Sequence, residues 1–236
     1  MAKRGIVKKT EARNINIRPT RWRRYDHFFL IVCEDSNVEP YYFDSFKNKF
    51  PKETFFLKTV GTGRNTKGVV EQSLKEKESL FTESKKNVDE VWAVFDKEDA
   101  DKVVAISDNF NEAFELAHKN NVKIAYSNEV FELWLLLHYQ NVNHAEPIPR
   151  QEVYLLLEAQ IKKHPAYTGF NYEHGKTSVI DALIKTGNEK KAIERAENLL
   201  AAHNETLPIN ANPSTTNHIL VKKLRELIEY YNYEPQ

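Results

Sequence analysis

A chain of 236 residues with 41% hydrophobic and 29% charged residues has the composition of an ordinary globular protein with a sizeable core. No apolar run approaches the roughly 18 residues of a membrane span, and the first residues lack the apolar stretch of a signal peptide. The single cysteine, Cys33, excludes an internal disulfide framework. We therefore expect a cytoplasmic protein that has no membrane partner.

Charge is unevenly distributed along the chain, although its 34 basic and 34 acidic residues cancel. Residues 1–24 contain nine Lys or Arg and one acid, Glu11, which gives this arm a charge of about +8. Its few apolar residues show no periodicity, so we expect it to be disordered. Three arginines around Trp22 are candidates to bind a phosphate backbone: Arg21, Arg23 and Arg24. The alternative is a solvated tail that only aids solubility.

Strand and helix patterns alternate between residues 25 and 140. Four apolar runs rich in β-branched and aromatic residues predict buried strands at 28–33, 55–60, 91–95 and 122–126. The segments between them predict helices at 39–50, 68–81 and 110–119. This alternation is typical of an α/β fold in which a mainly parallel sheet is flanked by helices.

The rest of the chain predicts helices alone. They are expected at about 130–139, 150–162, 176–186, 188–203 and 214–231. Prolines and a glycine-containing stretch separate them. We therefore divide the chain into a basic arm at 1–24, an α/β core at 25–140 and a helical lobe at 141–236 that packs back onto the core.

Acidic side chains follow two of the predicted strands. Glu34 comes directly after the first strand, and the run Asp96-Lys97-Glu98-Asp99-Ala100-Asp101 begins at the end of the third. Ligands of parallel sheets bind beyond the carboxyl ends of the strands, and these two strands can be neighbours in such a sheet. Carboxylates held close together either acquire raised pKa values or recruit a cation, and Mg²⁺ or Mn²⁺ suits such oxygen ligands. The pattern predicts metal-assisted chemistry on a phosphate ester.

Two structural interpretations compete with the metal site. Asp35 or Ser36 can cap the helix that begins near Glu39, as short polar residues commonly do. The run that starts at Asp96 can be a solvated turn. The equivalent positions of Glu34 and Asp96 on two buried strands favour the metal site over these alternatives.

Five segments of the chain, in this order, resemble the RloB family, which belongs to the same broad group as Toprim-type proteins: LIVCEDSNVEPYYFDSF, GTGRNT, VWAVFDKEDAD, AYSNEVFELWLLLHY and NPSTTNHILVKKL. The resemblance implies a Toprim-like core with a glutamate after the first strand, matched by Glu34, and a D-x-D motif after a later one. Asp96 matches the first aspartate of that motif, whereas Glu98 replaces the second and Asp99 adjoins it. Which of these two acids is the further metal ligand is therefore open.

The resemblance also implies a function and partners. It implies a prokaryotic anti-phage defence protein that works beside an ATPase of the AAA or ABC type. Relatives with this fold are thought to be nucleases, so the expected substrate is DNA or an RNA such as tRNA. The alternative is a nucleic-acid-binding or regulatory subunit of that ATPase whose carboxylates no longer catalyse.

Other residues are weaker candidates for the same site. Glu132 is an acid inside a heavily apolar helix, where burial requires a partner, so it is a candidate member of the site. Lys176 can neutralise charge on the scissile phosphate, or it can be a solvated lysine. His138 ends the apolar helix near the expected crevice and is a further residue to test. Zero net charge and the many aromatic residues are compatible with a homodimer.

Two segments can bind phosphate through backbone N–H groups. The loop containing Gly61, Gly63 and Arg64 is a possible phosphate cradle, although a plain glycine turn is the simpler interpretation. Ser214 and Thr215 follow Pro213 at a predicted helix start, which is a possible anion site as well as an ordinary helix N-terminus.

Overall fold

The computed structural model of the chain describes residues 25–98 and 104–233. Some predicted residues lie outside these ranges, so their predictions are neither confirmed nor contradicted: the arm at 1–24 with Arg21, Arg23 and Arg24, and Asp99 in the acidic run.

Five strands form one sheet in the spatial order β2-β1-β3-β4-β5. The first four pair in parallel, and β5 is antiparallel to β4 at one edge. The strands are β1 (His27–Cys33), β2 (Phe55–Gly61), β3 (Glu90–Asp96), β4 (Lys123–Asn128) and β5 (Ser214–Thr215). The predicted α/β class with a mainly parallel sheet is therefore confirmed, and so is the expectation that the first and third strands can be neighbours.

Helices cover both faces of the sheet. The helices are α1 (Val38–Asp44), α2 (Thr66–Ser84), α3 (Val104–Lys119), α4 (Glu132–Leu137), α5 (Arg150–Lys162), α6 (Ser178–Thr186), α7 (Glu189–Ala202) and α8 (Asn217–Asn232). Alternate residues of β1 enter two separate cores: Phe28 and Leu30 pack with α2 and α3, whereas Phe29 and Ile31 pack with α1 and the helices after β4. Burial on both faces explains why the strand sequences are continuously apolar rather than alternating.

The C-terminal helices share one continuous core with the sheet. Every residue of α4 is buried, and residues of α5, α6, α7 and α8 join the same cluster as β1 and β3. The expectation that this part of the chain packs back onto the α/β core is met, whereas a domain boundary at residue 140 stays a prediction.

Three predicted helices differ from the structure, and one of them, expected at 110–119, begins earlier at Val104. The helix expected at 39–50 ends at Asp44, and a short 3₁₀ helix at Lys47–Lys49 follows it. The helix start expected at Ser214 is wrong, since Ser214 and Thr215 form β5 and the helix begins at Asn217. The prediction of helices alone after Phe131 is thereby corrected. The physical reason is that β5 pairs with Asn128 and Ser127, covering an edge of β4 that would otherwise lack backbone partners.

Among the described residues, no helix is both long enough and apolar enough to cross a membrane.

Candidate functional site

The acidic ends of β1 and β3 meet at one edge of the sheet. Cys33 pairs with Val94 in the parallel register, and the Glu34 N–H donates to the Val94 carbonyl at 2.9 Å. The Glu34 carboxylate turns across the gap between the strands, where its Oε2 accepts a hydrogen bond of 2.9 Å from the Asp96 N–H. Two acids that are 62 residues apart in sequence thus share one corner of the fold.

Asp96 is only partly satisfied by protein groups. Its Oδ2 accepts a 2.9 Å hydrogen bond from the Phe131 N–H at the start of α4. Its Oδ1 is buried and has no hydrogen-bond partner among the described residues. Burial raises the pKa of Asp96 well above its usual range, and the nearby charges of Glu39, Glu132 and Glu34 raise it further. A buried oxygen without a donor is costly, so this atom marks a place for a ligand or a proton.

Glu34 also holds its proton more tightly than an exposed glutamate. Burial is the main cause, and the charge of Glu98 adds to it, whereas the Asp96 N–H favours the ionised form. Together these influences raise the pKa of Glu34 to about 8. A carboxyl group that is still largely protonated near neutral pH loses its proton to solvent when a cation binds in its place.

Two more buried acids complete a group of four, which we call the carboxylate cluster: Glu34, Glu39, Asp96 and Glu132. Glu39 and Glu132 are only 2% and 4% exposed. Glu39 Oε2 accepts from the Asp35 N–H at 3.1 Å, and Glu132 accepts from the Tyr172 hydroxyl. Burial raises the pKa of both acids.

Sequence reasoning selected Glu132 but missed Glu39 as a site residue. Glu39 was assigned only to the start of a helix, although its neighbours Val38, Tyr42 and Phe43 are apolar and buried. The argument that singled out Glu132, an acid on an apolar helix, applies equally to Glu39 and would have found it.

A cavity of about 590 Å³ opens beside the carboxylate cluster. Asp96 and Glu98 lie on one side of it, and the other walls come from α5 and the segment before α6. It is lined by Asp96, Glu98, Val130, Arg150, Gln151, Tyr154, Leu155, Glu158, Tyr172 and His174. The residues beyond Val130 were not predicted, because the sequence shows a helix and a loop there with no local sign of where they fold back.

Glu98 occupies an exposed turn at the rim of this cavity. Its φ is +48°, and its N–H donates to the Glu129 carbonyl at 3.0 Å. One carboxylate oxygen lies 3.8 Å from the Arg150 guanidinium. By contrast, the preceding Lys97 is only 2% exposed. Glu98 and Asp96 line the same cavity. Asp99, the other candidate for the further metal ligand, lies outside the described residues.

The glycine loop after β2 packs against the segment that follows β1. The Thr62 and Gly63 N–H groups donate to the carbonyls of Cys33 and Glu34 at 3.0 and 2.8 Å. A Cβ at Gly61 would lie 2.7 Å from the Asp35 carbonyl oxygen, so a side chain cannot fit. Gly63 has φ +59° and the Arg64 side chain is exposed. This geometry favours the interpretation as a glycine turn, one that holds the backbone of Glu34 in place.

The Asp35 carboxylate accepts a hydrogen bond from the Val38 N–H at the start of α1. The N-cap position of α1 is Asn37, which makes no side-chain cap, so Asp35 bonds the first helical N–H from outside the cap position that was predicted for it. This bond coexists with the carboxylate cluster.

Several predicted residues lie away from the cavity. Lys176 is exposed and does not line it. Ser214 and Thr215 are fully buried in β5, where their hydroxyls bond the carbonyls of Ala211 and Tyr126. His138 lines a separate small cavity, and burial lowers its pKa to about 4.

The side-chain oxygens of the carboxylate cluster meet the requirements of a metal ion only in part. Within residues 25–98 and 104–233, no three Asp, Glu, His or Cys side chains are arranged to hold a metal ion. Each acid of the carboxylate cluster already accepts a hydrogen bond from the protein. The free Oδ1 of Asp96 can serve as one direct oxygen ligand. Mg²⁺ in proteins is usually bound by one or two carboxylates, with water and phosphate as its remaining ligands.

Comparisons with known proteins bear on the whole chain. No curated protein and no solved structure matches it. One family model, described as RloB-like protein, matches residues 29–224, which include all four acids of the carboxylate cluster and every residue that lines the cavity. The chain belongs to the RloB-like family.

Proposed function

We propose that this protein is a metal-dependent nuclease that hydrolyses phosphodiester bonds of DNA or RNA, possible RNA substrates including tRNA. The observation that carries the proposal is Asp96, whose buried Oδ1 lacks a partner beside Glu34 at the edge of a 590 Å³ cavity. Clustered acids with raised pKa values in a cleft are typical of functional sites, and oxygen ligands suit Mg²⁺ or Mn²⁺. The chain belongs to the RloB-like family, and the resemblance of that family to Toprim-type proteins is the reason for choosing nucleic acid as the phosphate ester.

In this proposal Glu34 and Asp96 would hold the cation. Glu98 or Asp99 would supply a further oxygen after its side chain turned toward the cation, since no three acids of the described residues are arranged to do so as they stand. A bound Mg²⁺ or Mn²⁺ supplies charge neutralisation for the phosphate and lowers the pKa of a water molecule. Glu34 and Asp96 release their protons when the cation binds, so binding strengthens as pH rises. The hydroxyl of Tyr172 orients Glu132, and Glu39 holds the backbone that carries Glu34 through its bond to the Asp35 N–H.

Contacts to the substrate outside the cavity complete the proposal. The basic arm with Arg21, Arg23 and Arg24 contacts the phosphate backbone, so binding of nucleic acid should weaken steeply as the salt concentration rises. The biological setting is anti-phage defence beside an AAA- or ABC-type ATPase.

The test is cleavage of plasmid DNA and of total tRNA by the purified full-length protein, with Mg²⁺, with Mn²⁺ and with EDTA. Glu34→Gln and Asp96→Asn remove a charged ligand with little change of shape. The matched control is Glu205→Gln, an exposed acid outside the cavity. We expect EDTA and both site variants to abolish cleavage and the control to keep it.

Two outcomes contradict the proposal. Cleavage that persists in EDTA and in Glu34→Gln excludes the metal mechanism. Binding of nucleic acid without cleavage under every condition, including addition of the ATPase, supports the alternative of a binding or regulatory subunit.

The defence role predicts that cells expressing the chain with its ATPase resist phage and that Asp96→Asn removes this resistance.

A further inference from the structure

Two tyrosines stack on each other in the wall of the cavity. The ring centroids of Tyr154, on α5, and Tyr172, in the segment before α6, are 4.8 Å apart with an interplanar angle of 19°. His174 lies next to them, 5.8 Å from the Tyr154 ring. Both tyrosines are half-buried and line the cavity, as does Leu155, which is 70% exposed. The wall is thus an aromatic and apolar surface in a cavity whose other side is acidic.

Hydrogen bonds hold this aromatic wall in a fixed relation to the carboxylate cluster. The Tyr172 hydroxyl donates to Glu132, and the Tyr172 N–H donates to Glu158 Oε2 at 2.7 Å. Glu158 lies one helical turn after Tyr154 on α5, so the two rings are tied to the same helix. A surface anchored in this way loses little conformational entropy when a ligand binds.

The chemistry of the wall and of the acids suits the two parts of one nucleotide. Aromatic side chains stack on bases of any sequence. Asp96 and Glu98 line the same cavity, where a cation that they would hold would supply the positive charge that a phosphate requires. A volume of about 590 Å³ lies within the roughly 300–1,000 Å³ of small-molecule sites. A base within a duplex is already stacked on its neighbours, so it reaches such a wall only if it leaves the stack.

We propose that Tyr154 and Tyr172 form a stacking platform for one unpaired base, which makes single-stranded nucleic acid the substrate class of this cavity. This inference rests on the proposed function, because it places the adjoining phosphate beside Asp96 and Glu98, the acids of the proposed metal site that line the cavity. When these acids are ionised they repel a phosphate, so binding of the strand should depend on a divalent ion that compensates their charge.

The experiment uses full-length protein in Ca²⁺ with short DNA and RNA oligonucleotides that carry a central 2-aminopurine, as single strands and as duplexes. Anisotropy of an end label reports affinity, and 2-aminopurine fluorescence reports stacking. We expect single strands to bind at least about tenfold more tightly than duplexes, with quenched fluorescence, because stacking of one base contributes on this order. A central abasic site should weaken binding by a similar factor, and EDTA should abolish it. The DNA and RNA arms identify which strand is preferred.

Variants localise the effect. Tyr154→Leu keeps an apolar side chain without a ring and should weaken single-strand binding about tenfold and remove the quenching. Tyr154→Phe should retain both. The matched control is Tyr230→Leu, an exposed tyrosine of α8 that does not line the cavity. Thermal melting of each variant verifies folding, and the abasic oligonucleotide tests stacking on the unaltered protein.

The outcomes separate this inference from the proposed function. Equal binding of single strands and duplexes without quenching overturns the stacking platform, even if Mg²⁺-dependent cleavage is observed. Quenching that requires Tyr154 supports the platform, even if no condition gives cleavage, and the absence of cleavage then counts against hydrolysis alone.

Discussion

The carboxylate cluster and the polar groups around β5 are both buried near the carboxyl ends of the strands, but their composition differs. The cluster consists of four acids whose pKa values are all raised, and Asp96 Oδ1 has no partner among the described residues. Around β5 the buried groups are neutral and bond one another or nearby backbone groups, although Asn217 Oδ1 also has no partner among the described residues. This β5 network consists of Ser127, Ser214, Thr215, Thr216 and Asn217.

The two regions differ in the free-energy cost of burying their side chains, and this difference indicates which of them is structural. In the β5 network, Asn217 Nδ2 donates to Ser127 Oγ at 2.9 Å, and the Thr216 hydroxyl accepts from the Tyr126 N–H at 2.9 Å. Neutral groups that bond each other are buried at low cost and fix the position of a strand. Four acids in one place raise the free energy of the folded protein unless a cation or protons compensate them. The β5 network is therefore structural, whereas the cluster is suited to a ligand.

The largest expected effect is on activity. Asp96→Asn should reduce cleavage of nucleic acid about 100-fold or more, because the neutral amide no longer compensates a divalent cation. Thr215→Val should leave the rate per folded molecule unchanged, since Thr215 is buried in β5. Initial rates in Mg²⁺ at a temperature where both variants are folded provide the measurement. An equal loss of cleavage rate in both variants would show that the two regions do not differ in function.

The next effect is on stability. Thr215→Val removes a hydroxyl that bonds Ser127 Oγ, Asn217 Nδ2 and the Tyr126 carbonyl, which should cost about 3 kcal/mol and lower Tm by roughly 6–12 °C. The control is Thr206→Val at an exposed position, for which no measurable change is expected. Thermal unfolding followed by circular dichroism gives both values. A Tm of Thr215→Val equal to that of the control would show that the β5 network does not stabilise the sheet edge.

The carboxylate cluster should have the opposite effect on stability, and its size should depend on pH. The pKa of Glu34 is raised from 4.5 to about 8 in the folded protein. Between these values the unfolded chain releases a proton that the folded protein keeps, so stability falls as pH rises through this window. Without metal, Glu34→Gln should therefore be more stable than the unaltered protein at pH 8 by about 4 kcal/mol, and the difference should nearly vanish at pH 4.5.

Unfolding in EDTA at both pH values measures this difference. Mg²⁺ should stabilise the unaltered protein and reduce its disadvantage at pH 8, because the cation binds the folded state only. A variant that is less stable at pH 8 than the unaltered protein in EDTA would contradict the raised pKa of Glu34.

The smallest effect concerns a single hydrogen bond within the carboxylate cluster. Tyr172→Phe removes the hydroxyl that donates to Glu132 and keeps the ring, so stability should fall by about 1 kcal/mol. Denaturant unfolding beside Tyr230→Phe, an exposed control, measures the change. If Tyr172→Phe is as stable as its control, Glu132 does not depend on this hydroxyl for its position.

Much of the fold follows from local sequence patterns. The apolar runs of β1 and β3 are long, rich in β-preferring residues and bounded by polar ones. A strand that is apolar on both faces is typical of the centre of a parallel sheet. Because parallel strands expose their carboxyl ends at one edge, the positions of Glu34 and Asp96 in the sequence already implied a shared site. Two acids that end such strands were therefore predictable from the sequence.

Other features depend on contacts between distant segments, and no local pattern contains them. β5 has two residues and forms only because Thr215 meets Ser127, 88 positions earlier. Tyr172 reaches Glu132 across 40 positions from a segment that shows only turn signals. The sequence by itself determined the parallel sheet and the acids at its edge, since burial periodicity is a local property. Only the tertiary structure decided which strand closes the sheet and which side chains wall the cavity, since those positions result from packing of the whole chain.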